Sequence, residues 1–170
     1  MSSLRQFFLA LPLVLLAGCA GYQLGPTGGR SAGVQSVQIH PFVNRTLEAR
    51  LADSVTAAVR KEIQRDGTFH VTTGEVGDII VSGSLTHYER REVSLVPNDV
   101  ATARDFNVSL TAQVTARERS TGKVLFDQPV TSYTLIRVSP DLSQTERQAL
   151  PLLASDLARR ITALLADGVW

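Results

Sequence analysis

The chain reads as an α+β protein, a two-layer αβ sandwich with two helices packed on one face of a mostly antiparallel, four- to five-stranded sheet. Residues 104–119 alternate in strict period two, with Phe106, Val108, Leu110, Ala112, Val114 and Ala116 on one side. Asn107, Ser109, Thr111, Gln113 and Thr115 take the other side, so one sheet face is apolar and the other polar. Two further segments each carry a single apolar stripe at helical spacing. Covering the apolar sheet face with both helices buries all three surfaces at once.

The chain opens with Arg5, a mostly apolar run from Phe7 to Ala17, and then Gly18 and Cys19. That order is a secretory signal peptide over residues 1–18. The run is shorter than the roughly 20 residues that cross a hydrocarbon core. Leu16-Ala17-Gly18-Cys19 resembles the lipobox of bacterial lipoproteins. The resemblance implies cleavage before Cys19, a diacylglycerol on its sulfur and an acyl chain on the new amino terminus. One acyl chain binds a membrane at only about 10⁴ M⁻¹, whereas two or more hold stably. Ala20, standing where an aspartate would signal retention, favours the outer membrane by the same resemblance. Residues 19–33 are rich in Gly and Pro and read as a lipidated tether, leaving 34–170 as one domain. Fully extended, about 14 tether residues reach at most roughly 50 Å.

Within the domain, Val37 and Ile39 alternate with polar residues as in a strand that Pro41 and Asn44 end. Leu47 to Asp66 reads as a helix with Leu47, Leu51, Val55, Ala58, Val59 and Ile63 in its stripe. Asn44 or Thr46 is placed to cap it, Glu48 suits the dipole of its first turn, and Gly67 is placed to stop it. Thr68 to Thr72 is a short strand, and Asp78 to Val93 a long one whose alternation weakens around His87 and Tyr88, the mark of a bulge or a bend. Residues 94–103 read as a loop punctuated by Pro97-Asn98-Asp99. After Arg104 to Arg119, Ser120-Thr121-Gly122-Lys123 turns the chain into a last strand, Val124 to Leu135, where Pro129 suggests an edge position or a break. Ser143-Gln144-Thr145-Glu146 has the form of a capping box before the second stripe: Leu150, Leu153, Leu157, Ile161, Leu164 and Leu165. Trp170 reads as a packed end-stop.

Composition narrows the function. Without its first 18 residues the 170-residue chain keeps 152, enough for one domain with a sizeable core. The whole chain carries 17 basic and 16 acidic residues; the leader removes only Arg5, so the mature balance is near zero. That argues against nucleic acid as a partner, because phosphate contacts call for a surplus of Lys and Arg. Cys19 is the only cysteine, which excludes an intrachain disulfide, a thiolate zinc site and a cysteine nucleophile. His40, His70 and His87 lack neighbours at metal-ligand spacing, and no base stands next to a nucleophile. No metal, cofactor or catalytic activity is expected, apart from the lipid on Cys19.

Arg90, Arg91 and Arg104 lie at the ends of two neighbouring strands, where guanidinium forks suit phosphate or carboxylate groups. Edge-strand protection and solubility explain the same residues without a ligand and are the preferred reading of the residues alone.

The chain resembles the lipopolysaccharide-assembly lipoprotein family, LptE. The resemblance rests on Gly21-Tyr22-Gln23-Leu24 after Cys19, Val37-Gln38-Ile39-His40-Pro41-Phe42-Val43-Asn44-Arg45-Thr46, Asp66-Gly67-Thr68-Phe69-His70-Val71 and the run from Asp78 to Tyr88. It implies a sandwich that plugs the outer-membrane β-barrel LptD and helps deliver lipopolysaccharide to the cell surface. It also implies lipopolysaccharide binding through basic residues near strand ends, for which Arg90, Arg91 and Arg104 are positional candidates. Pro41 to Thr46 before a helix is similar as well to CsgG-like secretion lipoproteins and to LpoB-like activators of peptidoglycan synthases.

Overall fold

The computed structural model describes residues 35–74, 76–96, 99–137 and 142–168, with backbone only at 94–96, 99–104 and 142–146. The leader, Cys19, the tether, the capping-box side chains and Trp170 lie outside the described residues.

Among the described residues, six strands and two helices follow in the order β1 (Ser36–Ile39), β2 (Val43–Asn44), α1 (Leu51–Asp66), β3 (His70–Thr72), β4 (Ile79–Val96), β5 (Asp99–Glu118), β6 (Val124–Arg137) and α2 (Leu142–Asp167). The sheet runs β3-β1-β4-β5-β6, with β2 beside β4. The long pairs β4–β5 and β5–β6 are antiparallel, while β1 pairs parallel with β3 and β4. Both helices cover one face. Val81, Leu85, Leu110 and Val114 of the sheet, Val55, Val59 and Ile63 of α1, and Leu153, Leu157 and Ile161 of α2 form one buried cluster.

The sheet has six strands where four to five were expected, because Pro41 interrupts the first strand instead of ending it. Ile39 pairs with Val81 and Val43 with Ser84, so four steps on one strand match three on the other. This bulge turns Phe42 inward, where it is 4% exposed. Its N–H donates to Thr56 Oγ1 at 3.0 Å, and Thr56 Oγ1 donates to the Ala52 carbonyl at 2.7 Å. The ring lies directly over Gly83 of β4. A Cβ there would come within 2.9 Å of Phe42 Cδ1 and 3.0 Å of the Gln113 carbonyl oxygen.

The first helix begins at Leu51, not Leu47, and Leu47 is fully exposed. Asn44 and Thr46 are occupied with the turn ahead of it: Asn44 Nδ2 donates to the Glu48 carbonyl at 2.7 Å, and Thr46 Oγ1 accepts from the Glu48 N–H at 3.3 Å. Arg50 therefore holds the N-cap position without a side-chain cap, and Asp53, not Glu48, meets the first-turn dipole. At the other end Gly67 has φ +78° and its N–H reaches the Ile63 carbonyl, as a left-handed stop requires.

Where a loop was expected over residues 94–103, β4 runs on to Val96 and β5 begins at Asp99, with Ser94 opposite Asp105 and Leu95 opposite Ala103, although the register shifts at each step; residues 97 and 98 lie outside the described residues. The expected bulge lies between Leu85 and His87, where Leu85 faces Ala112 and His87 faces Thr111. Past it, the core-facing positions of β4 pass from odd to even numbers.

One sheet edge, β3, is three residues long; the other, β6, is 14. Pro129 sits in β6, the edge position its missing donor suits. Asp156 of α2 accepts from Arg159 at 3.0 Å, from Arg160 at 2.9 Å and from the Tyr133 backbone N–H. Partial burial alone would raise its pKa, but the bonds from Arg160, Arg159 and Tyr133 together lower it. Because the folded-state pKa lies below the unfolded value, this contribution is complete above that value and is lost as pH falls through the folded one. Asp156→Ala is expected to cost about 1 kcal/mol near neutral pH. In urea titrations the gap from the parent should close as pH falls below the ordinary aspartate value of 3.8 and on through the lower folded-state one.

Candidate functional site

The residues singled out for anion binding all lie on the far half of the β4–β5 hairpin, but strand alternation divides them. After the bulge, Tyr88, Arg90 and Glu92 lie opposite Leu110, Val108 and Phe106, on the side that carries the core. The Arg90 guanidinium sits 5.0 Å from the centre of the Phe106 ring, where a cation–π contact closes that end of the core. Arg91 projects from the polar side, opposite Asn107. Its Nη2 donates to both Glu89 oxygens, at 3.0 and 3.1 Å. The backbone of Arg104 is in β5, and its side chain lies outside the described residues. Arg90 and Arg91 thus do not form one cluster.

The companion of Arg91 is a residue that sequence reasoning passed over. Arg137, the last residue of β6, pairs with Asp105, and the neighbouring rung aligns Arg91, Asn107 and Leu135. Arg137 and Arg91 therefore share the polar face. Arg137 Nε donates to Asp105 Oδ1 at 3.2 Å and its side chain is 83% exposed; that of Arg91 is 76% exposed. Each already holds a carboxylate, so an anion must compete with Glu89 or Asp105. Such exposed pairs contribute little and are readily exchanged. The signal that would have found Arg137 is the odd-numbered set Thr131, Tyr133, Leu135 and Arg137, read in phase with β5.

The polar face continues along the sheet, and neither described helix lies over it. Ser82 and Ser84 of β4, Ser109, Thr111 and Gln113 of β5 and Thr131 of β6 lie on it half-buried. Thr111 and Thr131 share a hydrogen bond of 2.9 Å between their hydroxyls. Tyr133 and Leu135 rise from its β6 side, 54% and 64% exposed.

At the opposite end, next to the start of β1, Asp78 accepts from the Ser36 N–H at 2.8 Å and its hydroxyl at 2.7 Å. These bonds hold the Asp78 carboxyl below its usual range. Arg119 donates to the Gly77 carbonyl at 2.9 Å and to Gln38 Oε1. Both residues staple strands together and are structural. Among the described residues no group of three or more His, Cys, Asp or Glu could hold a metal ion. No described helix is long and apolar enough to cross a membrane.

The family model for LptE, described as lipopolysaccharide-assembly, matches residues 34–165. No curated protein matches the sequence. Similar solved structures include protein XCC0632 from Xanthomonas campestris, 9% identical over 86% of this chain and 91% of that one, with a TM-score of 0.62. The hypothetical protein CT253 from Chlamydia trachomatis is 10% identical over 79% and 96%, with a TM-score of 0.59. A minor lipoprotein from Acinetobacter baumannii is 14% identical over 78% and 92%, with a TM-score of 0.51. At these identities the structures share the fold.

Proposed function

Given that the chain belongs to the LptE family of lipopolysaccharide-assembly proteins, we propose that it is an outer-membrane lipoprotein that partners and plugs the LptD β-barrel. Anchored through Cys19 and facing the periplasm, it assists the barrel in placing lipopolysaccharide at the cell surface. It works as a scaffold, without catalysis. The observation that carries this reading is the family match across residues 34–165, nearly the whole folded domain.

Affinity purification of the lipidated chain from its own outer membranes is expected to recover a large β-barrel in equal amount. Recovery of a peptidoglycan synthase, or of a ring of this chain alone, would favour the LpoB-like or CsgG-like reading instead. Arg90, Arg91 and Arg104 remain the proposed contacts with anionic glycolipid, and Arg137 joins them because it shares a face with Arg91. Replacing Arg91 and Arg137 together by alanine is expected to weaken lipopolysaccharide binding about tenfold at low salt, where screening is least. Equal affinity of parent and variant in a direct binding titration would remove both residues from the site.

A further inference from the structure

We infer that Trp170 seats its indole in the groove between the edge strand β6 and the last turns of α2, so that the chain closes its own sheet edge. Neither the groove nor this occupant depends on the barrel partnership. The groove has a volume of about 340 Å³ and lies between residues 129–131 of β6 and Arg160, Ala163, Leu164 and Asp167 of α2. Val130 is buried in its wall, Leu164 is half-buried and Ala163 is exposed. Ligand clefts begin at about 300 Å³ and take molecules larger than one indole ring.

The end of α2 aims the chain at this groove. Asp156 meets Tyr133, while Arg160 and Asp167 lie beside residues 129–131, so α2 runs antiparallel to β6 with its last turns on the groove. The helix stops at Asp167, and Gly168 has φ +60°, the left-handed conformation that folds a chain back over its last turn. Such a stop sets the next residue, Val169, against Leu164 in the groove wall. Trp170 follows at once, with at most about 7 Å of chain beyond Gly168. A link that short holds the indole at an effective concentration of roughly millimolar or more, which any outside ligand must overcome.

The lining suits an indole. Pro129, Val130, Ala163 and Leu164 offer apolar surface to the ring. Arg160, held through Nε by Asp156 at 2.9 Å, stands at the rim, and tryptophan is the best cation–π partner for a guanidinium. Asp167 puts a carboxylate in the last turn, where the dipole disfavours it and no basic residue is present. The indole N–H can only donate, and the Asp167 carboxylate is an acceptor within the lining. With the groove filled, β6 presents less open edge for pairing with another chain.

Trp170 is the only tryptophan, so the fluorescence of the full lipidated chain in detergent micelles reports on it alone. The expected result is native emission to the blue of that in urea, with acrylamide quenching weaker than in urea. Ala163→Glu puts a charge in the groove and is expected to return both readings toward the urea values. Gln148→Glu, exposed on α2 away from the groove, should leave them native, with both variants folded by circular dichroism. Trp170→Ala is expected to speed amide exchange over residues 163–167 about tenfold, and to leave residues 153–157 unchanged. A tryptophan as accessible to acrylamide as in urea overturns the inference. Shielding that survives Ala163→Glu also overturns it, because the indole then packs elsewhere. Shielding lost on dilution does the same, because the indole then sits in a second copy. Equal exchange in Trp170→Ala and the parent would likewise leave the groove without this occupant.

Discussion

Gly83→Val is expected to destabilise the domain by roughly 3 kcal/mol, the upper end of what overpacking costs and a large share of the 5–15 kcal/mol that holds most domains together. The valine methyl groups would have to occupy the space of the Phe42 ring. That ring cannot easily retreat, because the Phe42 N–H is bonded to Thr56 on α1 and Val43 pairs with Ser84 one residue later. Moving it would open the seam between β1, β4 and α1. Chemical denaturation should show the loss as a lower midpoint with an unchanged slope. Phe42→Leu in the same chain should recover part of it, since a smaller side chain leaves room for the new Cβ. Additive losses in the double variant would mean that the two residues do not share the strain.

Cys19→Ser is expected to leave the leader uncleaved and the thioether-linked lipid absent. Intact mass should then exceed that of the mature polypeptide by the leader and lack the increment of the acyl chains. No acyl chain is then left to supply even the marginal binding of about 10⁴ M⁻¹ that one chain supports, so only the uncleaved leader holds the precursor at the membrane. If the leader is removed by another protease, the released domain should partition into the soluble fraction of the periplasm. The described domain has no helix that could replace the anchor by crossing the bilayer. Wild-type protein carrying no lipid would overturn the assignment of Cys19.

Much of the fold is legible because burial writes a period into the sequence. The even-numbered apolar residues of β5 are buried from Val108 to Ala116, and both helical stripes reach the same core. The stop at Gly67, the bulge before His87 and the edge position of Pro129 each follow from local chemistry. The failures come from non-local pairing. Val43 and Asn44 form a strand only because β4 lies beside them, and Leu47 falls outside its helix because Asn44 and Thr46 are tied into a turn. Residues 94–103 look like a loop from Pro97-Asn98-Asp99, yet β5 continues to Asp99.

The candidate site was harder to read for the same reason. A bulge shifts the face of every later residue by one position. Until its location is known, no spacing rule tells that Arg90 closes the core while Arg91 shares a surface with Arg137. The motif from Pro41 to Thr46 is also better explained by architecture than by ligand contact. Pro41 interrupts the strand, Phe42 fills the bulge, Val43 pairs with Ser84, and Asn44 and Thr46 tie down the turn, which accounts for five of its six residues without any partner.

Lipopolysaccharide at the cell surface, measured while this chain is depleted from its host, tests the central reading most directly. The account predicts that surface lipopolysaccharide declines and newly made material accumulates inside the envelope, with peptidoglycan cross-linking unchanged. Normal surface lipopolysaccharide, with a defect in peptidoglycan or in secretion instead, would contradict it.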